Sequence, residues 1–397
     1  VSLVSARIAR ISPSATIAVD AKAKQLAAQG RSIISFGTGE PDFATPDFVV
    51  EAAVRAARDP RNHHYSASSG LPQLREAVAD KTFADSGVKV DPGQVIITNG
   101  GKQAVFEAFA TLVNDGDEVL LPSPYWTTYP ESIALAGGRA VEVFAGAEHG
   151  YKVTPELLEA HVGERTRGIV LVSPSNPTGS VYSPRELRAL GEWVLGKGLW
   201  VLTDEIYQNI TYDGVRAASL LEVVPELTPR TVIANGVAKT YAMTGWRVGW
   251  LVAPPELATA AGTLQSHLSS NVSNVAQLAA LAALTGPQDA PAAMLEAFAR
   301  RRTSILAALD GIEGVVTPRP DGAFYAYPDV RALLGRDWHG RRVDTTLELA
   351  DLLLSEAGIA VVPGEAFGPS GYLRFSYALS DEDLAEGMRR FAAFLSE

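Results

Sequence analysis

The sequence predicts an α/β protein: a large domain with a mostly parallel sheet between helices, plus a smaller α/β domain. Three observations carry this. Short apolar, β-branched runs recur at 94–98, 118–121, 168–172, 200–203, 231–234 and 248–252, with helix-like segments among them. Most of these runs empty into a polar or Gly-rich motif instead of a hairpin turn. After about Gly286-Pro287 the texture changes to a long helical segment followed by short strand-like pieces.

Taken in order, residues 16–28 mix apolar and charged positions with helical character, and Gly30 supplies a stop. A strand at 32–36 breaks at GTGEPDF, residues 37–43. Helices follow at 46–58, with Pro46 in the first turn, and at 71–84 and 102–113. Beyond residue 287 the pattern gives a helix at 292–309, strand-like Val315-Val316 and GAFYAYP at 322–328. A helix at 345–357, strands near 359–362 and 372–376 and a final helix complete it. The large domain is placed at 46–286, and the small one is built from both termini, 1–45 and 287–397.

Composition narrows the function. With 47% hydrophobic and 20% charged residues, the 397-residue chain reads as globular. A net charge of 34 − 45 = −11 argues against a nucleic-acid surface and an acidic membrane. The absence of cysteine removes disulfides, thiolate metal sites and cysteine nucleophiles. No apolar run reaches membrane-span length, and the first residues lack a continuous apolar segment before a small-residue cleavage site. A cytoplasmic protein is the expectation.

The chemistry-bearing residues sit after the strands, where ligands collect in such sheets. In NGVAKTYAMTGWRVGW, residues 235–250, Lys239 lies among small and apolar neighbours that favour its neutral, nucleophilic amine. Arg247 follows eight positions later and suits a phosphate; a surface lysine and an ion-paired arginine would read the same way. Asp204 closes the run at 200–203, where a carboxylate needs a cationic or hydrogen-bonding partner or serves as a helix cap. Tyr207 follows one turn later. Asn176 lies in SPSNPTG, residues 173–179, and would otherwise make an ordinary Asx turn. Asn99-Gly100-Gly101-Lys102 opens a helix, where backbone N–H groups favour an anion. Trp126 offers an aromatic face.

Three patterns are set aside. Gly37-Thr38-Gly39 is half a dinucleotide fingerprint with no helix behind it. Gly191 to Lys197 has P-loop spacing, but Gly198 stands where Ser or Thr is required, and the run lies in a helix end. His63-His64 are adjacent and seldom share a metal, so no metal site is expected.

Lysine, aspartate, phenol, amide, aromatic and phosphate cradle together suit pyridoxal phosphate. The motifs SATIAV, GEPDF, GGKQA, SPYW, SPSNPTG, DEIY, AKTYAMTGWR and LRFSYA occur in order along nearly the whole chain. By these the sequence resembles the class I and II family of fold-type I pyridoxal-phosphate aminotransferases, and within it a bacterial subgroup that includes aspartate and aspartate/prephenate enzymes. The resemblance implies that Lys239 forms the Schiff base with the cofactor and then shuttles a proton. It implies that Asp204 pairs with the ring nitrogen, Tyr207 and Asn176 bind the phenolic oxygen, and Trp126 stacks on the ring. Arg247, with the backbone of Gly101 and Lys102, would hold the phosphate. Tyr65 would reach the neighbouring subunit's cofactor, which implies a homodimer with shared sites. Arg374 would grip the substrate α-carboxylate, helped by Gly39 and Asn176.

The Lys102 side chain would recognise a distal carboxylate, which favours transamination between L-aspartate and 2-oxoglutarate. Ser12 stands where prephenate-accepting relatives carry lysine, and Ala238 stands where many members have Ser or Thr. Preference for alanine, aromatic amino acids or prephenate is an open alternative, as is a pyridoxal-phosphate β-lyase.

Overall fold

The structure is a computed structural model that describes residues 3–396. Its centre is a seven-stranded sheet of β1 (Val95–Thr98), β2 (Glu118–Ser123), β3 (Arg139–Phe144), β4 (Thr166–Val172), β5 (Trp200–Asp204), β6 (Thr231–Gly236) and β7 (Gly249–Val252). The spatial order is β1-β7-β6-β5-β4-β2-β3. All neighbours from β6 to β3 run parallel, whereas β7 is antiparallel to both β1 and β6. Every residue of β1, β6 and β7 is buried, as expected of strands covered on both faces. One apolar core lies on each side of the sheet, one through Val95, Ile169 and Ile233, the other through Ile96, Val170 and Val232. Successive residues of a strand thus feed opposite cores.

A third core gathers Phe36, Phe298, Tyr325, Leu373 and Phe391. It is built around the helices Asp289–Asp310 and Asp381–Phe394, which pack together, and a three-stranded sheet of Val362–Pro363, Leu373–Ser376 and Tyr325–Ala326. The N-terminal segment joins this core, because Ile34–Ser35 pairs in parallel with Ile359–Ala360.

Several elements differ from the sequence expectation. The strand expected at 359–362 divides into two pieces that serve different sheets. Val315-Val316 forms no strand; Val316 makes one isolated bridge to Asp329. The helix expected at 345–357 is α-helical only over Thr346–Leu352 and ends in a π-turn, Leu353–Ala357. Strand β3 and the helices Thr128–Leu135, Pro255–Leu268 and Asn274–Thr285 were not anticipated. The P-loop-like run lies in the helix Pro184–Lys197, with Gly191 packed on Val224, so it cradles nothing.

Candidate active site

The carboxyl ends of β1, β2, β4, β5 and β6 open toward one cavity of about 330 Å³, within the size range of small-molecule sites. Lys239, Asp204, Asn176, Tyr207, Arg247 and Arg374 all line it, as do Gly39, Gly101, Lys102 and Trp126. Tyr65 does not. It is 90% exposed and stands outside the cavity of its own chain.

Asp204 is the last residue of β5 and is buried. Its Oδ2 accepts from the Tyr129 hydroxyl at 2.8 Å and its Oδ1 from the Ile206 N–H at 3.1 Å. Burial pushes its carboxyl up, and the Tyr129 bond opposes the shift. Sequence reasoning passed over Tyr129, which sits in a short helix with no motif to distinguish it from a core tyrosine.

Lys239 follows β6 by three residues, and its Nζ donates to the carbonyl of Gly39. Burial lowers its ammonium to about 8, while the Glu40 carboxylate is the strongest influence in the other direction. Glu40 is itself fixed by the Thr244 hydroxyl at 2.6 Å. Neither Glu40 nor Thr244 was singled out from the sequence.

Arg247 adopts a left-handed backbone, φ 56°. Its Nη1 donates to the Thr244 carbonyl at 2.8 Å and its Nη2 to the Asn99 carbonyl at 3.2 Å. That places the guanidinium directly on the turn before the helix Gly101–Leu112. A Cβ at Gly100, φ 86°, would come within 2.4 Å of Arg247 Nη2. Glycine is therefore required on both steric and backbone grounds. A free helix N-terminus and a guanidinium side by side are a site for an anion.

At the other end Arg374 is almost fully buried. Its Nη1 donates to Asn176 Oδ1 at 3.0 Å, its Nη2 donates to the Gly37 carbonyl at 2.7 Å, and its Nε has no partner. Its guanidinium packs on the rings of Tyr325 and Phe367, 4.7 and 5.1 Å from their centroids. Tyr207 is buried with its hydroxyl 2.7 Å from that of Tyr325, another residue missed from the sequence. Lys102 is exposed over the residue as a whole, yet its ammonium donates to Thr128 Oγ1 at 2.9 Å and lies 4.9 Å from the Trp126 ring centroid. Burial, then Arg247, lower its pKa. Among the described residues no carboxylate forms an ion pair with Lys102, Arg374 or Arg247.

The profile of the family described as aminotransferase class I and II matches residues 31–391. The chain belongs to that family. Among its relatives, the aspartate aminotransferase of Streptomyces avermitilis is 58% identical, over 99% of this chain and 97% of that protein. The aspartate/prephenate aminotransferase of Cereibacter sphaeroides is 44% identical, over 98% and 97%. Among solved structures, the aspartate aminotransferase from Rhizobium meliloti superposes with a TM-score of 0.96 at 37% identity, covering 100% of this chain and 99% of that one. The Thermus thermophilus enzyme with maleate gives 0.92 at 39% identity and full coverage of both.

Enzymes of this family use pyridoxal 5'-phosphate, and the residues present fit it. The cavity offers a depressed lysine amine, a buried carboxylate held by a phenol, an aromatic face at Trp126, and an anion cradle that a Cβ at Gly100 would fill. Among the described residues no cluster of metal ligands occurs, and no helix is long and apolar enough to cross a membrane.

Proposed function

We propose that the enzyme transfers the amino group between L-aspartate and 2-oxoglutarate, giving oxaloacetate and L-glutamate by a ping-pong course. The observation that carries this is the pair of cations, Arg374 and Lys102, lining the cavity that holds Lys239, with no carboxylate among the described residues paired to either. Two cations in one cavity suit a substrate with two carboxylates. The maleate named with the Thermus relative is such a molecule.

When bound, pyridoxal phosphate supplies the electron sink that makes the substrate α-proton removable. The chain's residues do the rest. Arg247 and the N–H groups at Gly101 and Lys102 would hold the phosphate. Asp204, kept in place by Tyr129, would pair with the ring nitrogen. Trp126 would stack on the ring, and Tyr207 with Asn176 would bind its phenolic oxygen. Arg374 grips the α-carboxylate with the help of Asn176 and Gly39, and Lys102 takes the distal one. Lys239 Nζ, whose ammonium burial lowers to about 8, takes the α-proton and hands it on as general base and acid. Prephenate is left out of this reading, since Ser12 is exposed and only its N–H is engaged, with Glu131.

We divide the chain at 46–286 and 1–45 with 287–397, on the strength of the core around Phe36, Tyr325 and Leu373, which is drawn mostly from the two terminal segments. The exposed Tyr65 supports a homodimer in which that phenol completes the partner's phosphate site. A cytoplasmic location fits the acidic composition.

A half-reaction tests the function. Cofactor-loaded enzyme mixed with L-aspartate alone should release one oxaloacetate per site and no ammonia. Continuous ammonia release without a keto acid would make it a lyase.

A further inference from the structure

The phosphate cradle is held from behind by a chain of amide hydrogen bonds that the catalytic reading does not use. Asn99 forms the turn whose carbonyl receives Arg247 Nη2 and whose next residues, Gly100 and Gly101, begin the helix. Its backbone N–H and its side-chain Nδ2 both donate to Gln103 Oε1, each at 2.8 Å. Because a backbone N–H can only donate, the orientation of the Gln103 amide is fixed. Its Nε2 must face acceptors, and it does: Glu107 Oε1 at 2.7 Å, Ser269 Oγ at 2.9 Å and Gln265 Oε1 at 3.4 Å.

That second layer is anchored to the sheet. Gln265 is fully buried and its Nε2 donates to the Ile97 carbonyl at 2.7 Å, tying the network to β1. Glu107 is also fully buried, its Oε2 has no partner, and burial pushes its carboxyl up to about 7. A buried carboxyl costs stability unless it is satisfied. Here its one bond goes to Gln103.

We propose that Gln103 is a positioning residue for the cofactor's phosphate: it pins the Asn99 turn so that Arg247 and the helix N-terminus converge on one anion. The residue touches neither substrate nor cofactor and acts through Asn99. It shapes the end of the site that holds phosphate and leaves the end that holds Lys239 and Asp204 alone. The proposal rests on the pyridoxal-phosphate reading given above.

The test compares two ligands that differ only in the phosphate. The full-length chain and its Gln103→Ala variant are titrated by equilibrium dialysis with pyridoxal 5'-phosphate and with pyridoxal. The expected result is about a tenfold rise in Kd for the phosphorylated ligand, or about 1.4 kcal/mol, with pyridoxal changed less than twofold. Asn99→Ala, which removes the side-chain bond and keeps the backbone one, should give a smaller loss in the same direction and serves if Gln103→Ala does not fold. Equal losses for both ligands, or none for either, would overturn the proposal. The unaltered chain provides a separate control. If it does not prefer the phosphorylated ligand, the cofactor reading itself fails.

Discussion

The Tyr129 hydroxyl donates to Asp204 at 2.8 Å, and among the described residues this phenol is the only side chain that hydrogen-bonds the buried carboxylate. Burial favours the protonated acid, and the bond from Tyr129 works against it. In the proposed reading Asp204 is charged to keep a ring nitrogen protonated, so the phenol, which itself lines the cavity, acts on catalysis through Asp204. Tyr129→Phe removes a bond to a charged group, worth about 1.5–3 kcal/mol. The expected result is a kcat roughly ten- to a hundredfold lower. The Asp204 pKa rises further, so the acid limb of the kcat profile moves to higher pH. A profile that stays in place would show that Tyr129 is only packing.

Lys239 carries a pH prediction whose sign is fixed. Its ammonium is lowered to about 8, so the nucleophilic free amine dominates above that pH and is lost below it. Capture of pyridoxal 5'-phosphate by the cofactor-free chain, followed by absorption, should rise with a midpoint near pH 8. Glu40 holds the ammonium form in place. Glu40→Gln removes that attraction, so the midpoint should move to lower pH; an upward movement would contradict the assignment.

In the proposed reading, the side chain of Lys102 separates choice of substrate from chemistry. Its ammonium is held by Thr128 and Trp126, away from any carboxylate of the chain among the described residues. Lys102→Ala should lower kcat/KM for aspartate about ten- to a hundredfold, the range of one charge-assisted contact. An L-alanine reaction, with no distal carboxylate, should change little. Parallel losses would mean that Lys102 serves the phosphate site instead.

Tyr65 makes the prediction about assembly. Tyr65 is 90% exposed and does not line the cavity of its own chain. Sedimentation should give a particle of two 42.1 kDa chains. Tyr65→Phe should weaken cofactor binding in that dimer and leave each chain's fold unchanged. A monomer with full activity would contradict the shared site.

The residues at the ends of β1, β2, β4, β5 and β6 were legible in the sequence because a buried strand is a plain apolar run and a site residue follows it directly. Strand β3 was missed for a physical reason. At the sheet edge, Arg139-Ala140-Val141-Glu142-Val143-Phe144 needs only partial burial and carries charges among its apolar residues. The helices Pro255–Leu268 and Asn274–Thr285 are rich in alanine, whose small side chain gives little periodic contrast. Tyr129, Tyr325 and Glu40 were missed because their roles arise from tertiary contact: each acts on a partner at least 75 residues away. No local pattern encodes such a meeting.

The most direct measurement is kcat/KM for L-aspartate, L-alanine and L-phenylalanine with 2-oxoglutarate as common acceptor. Arg374 and Lys102 in one cavity predict that aspartate exceeds both by about a hundredfold or more, about 2.7 kcal/mol or more in transition-state binding. Equal or greater values for alanine or phenylalanine would contradict the dicarboxylate account.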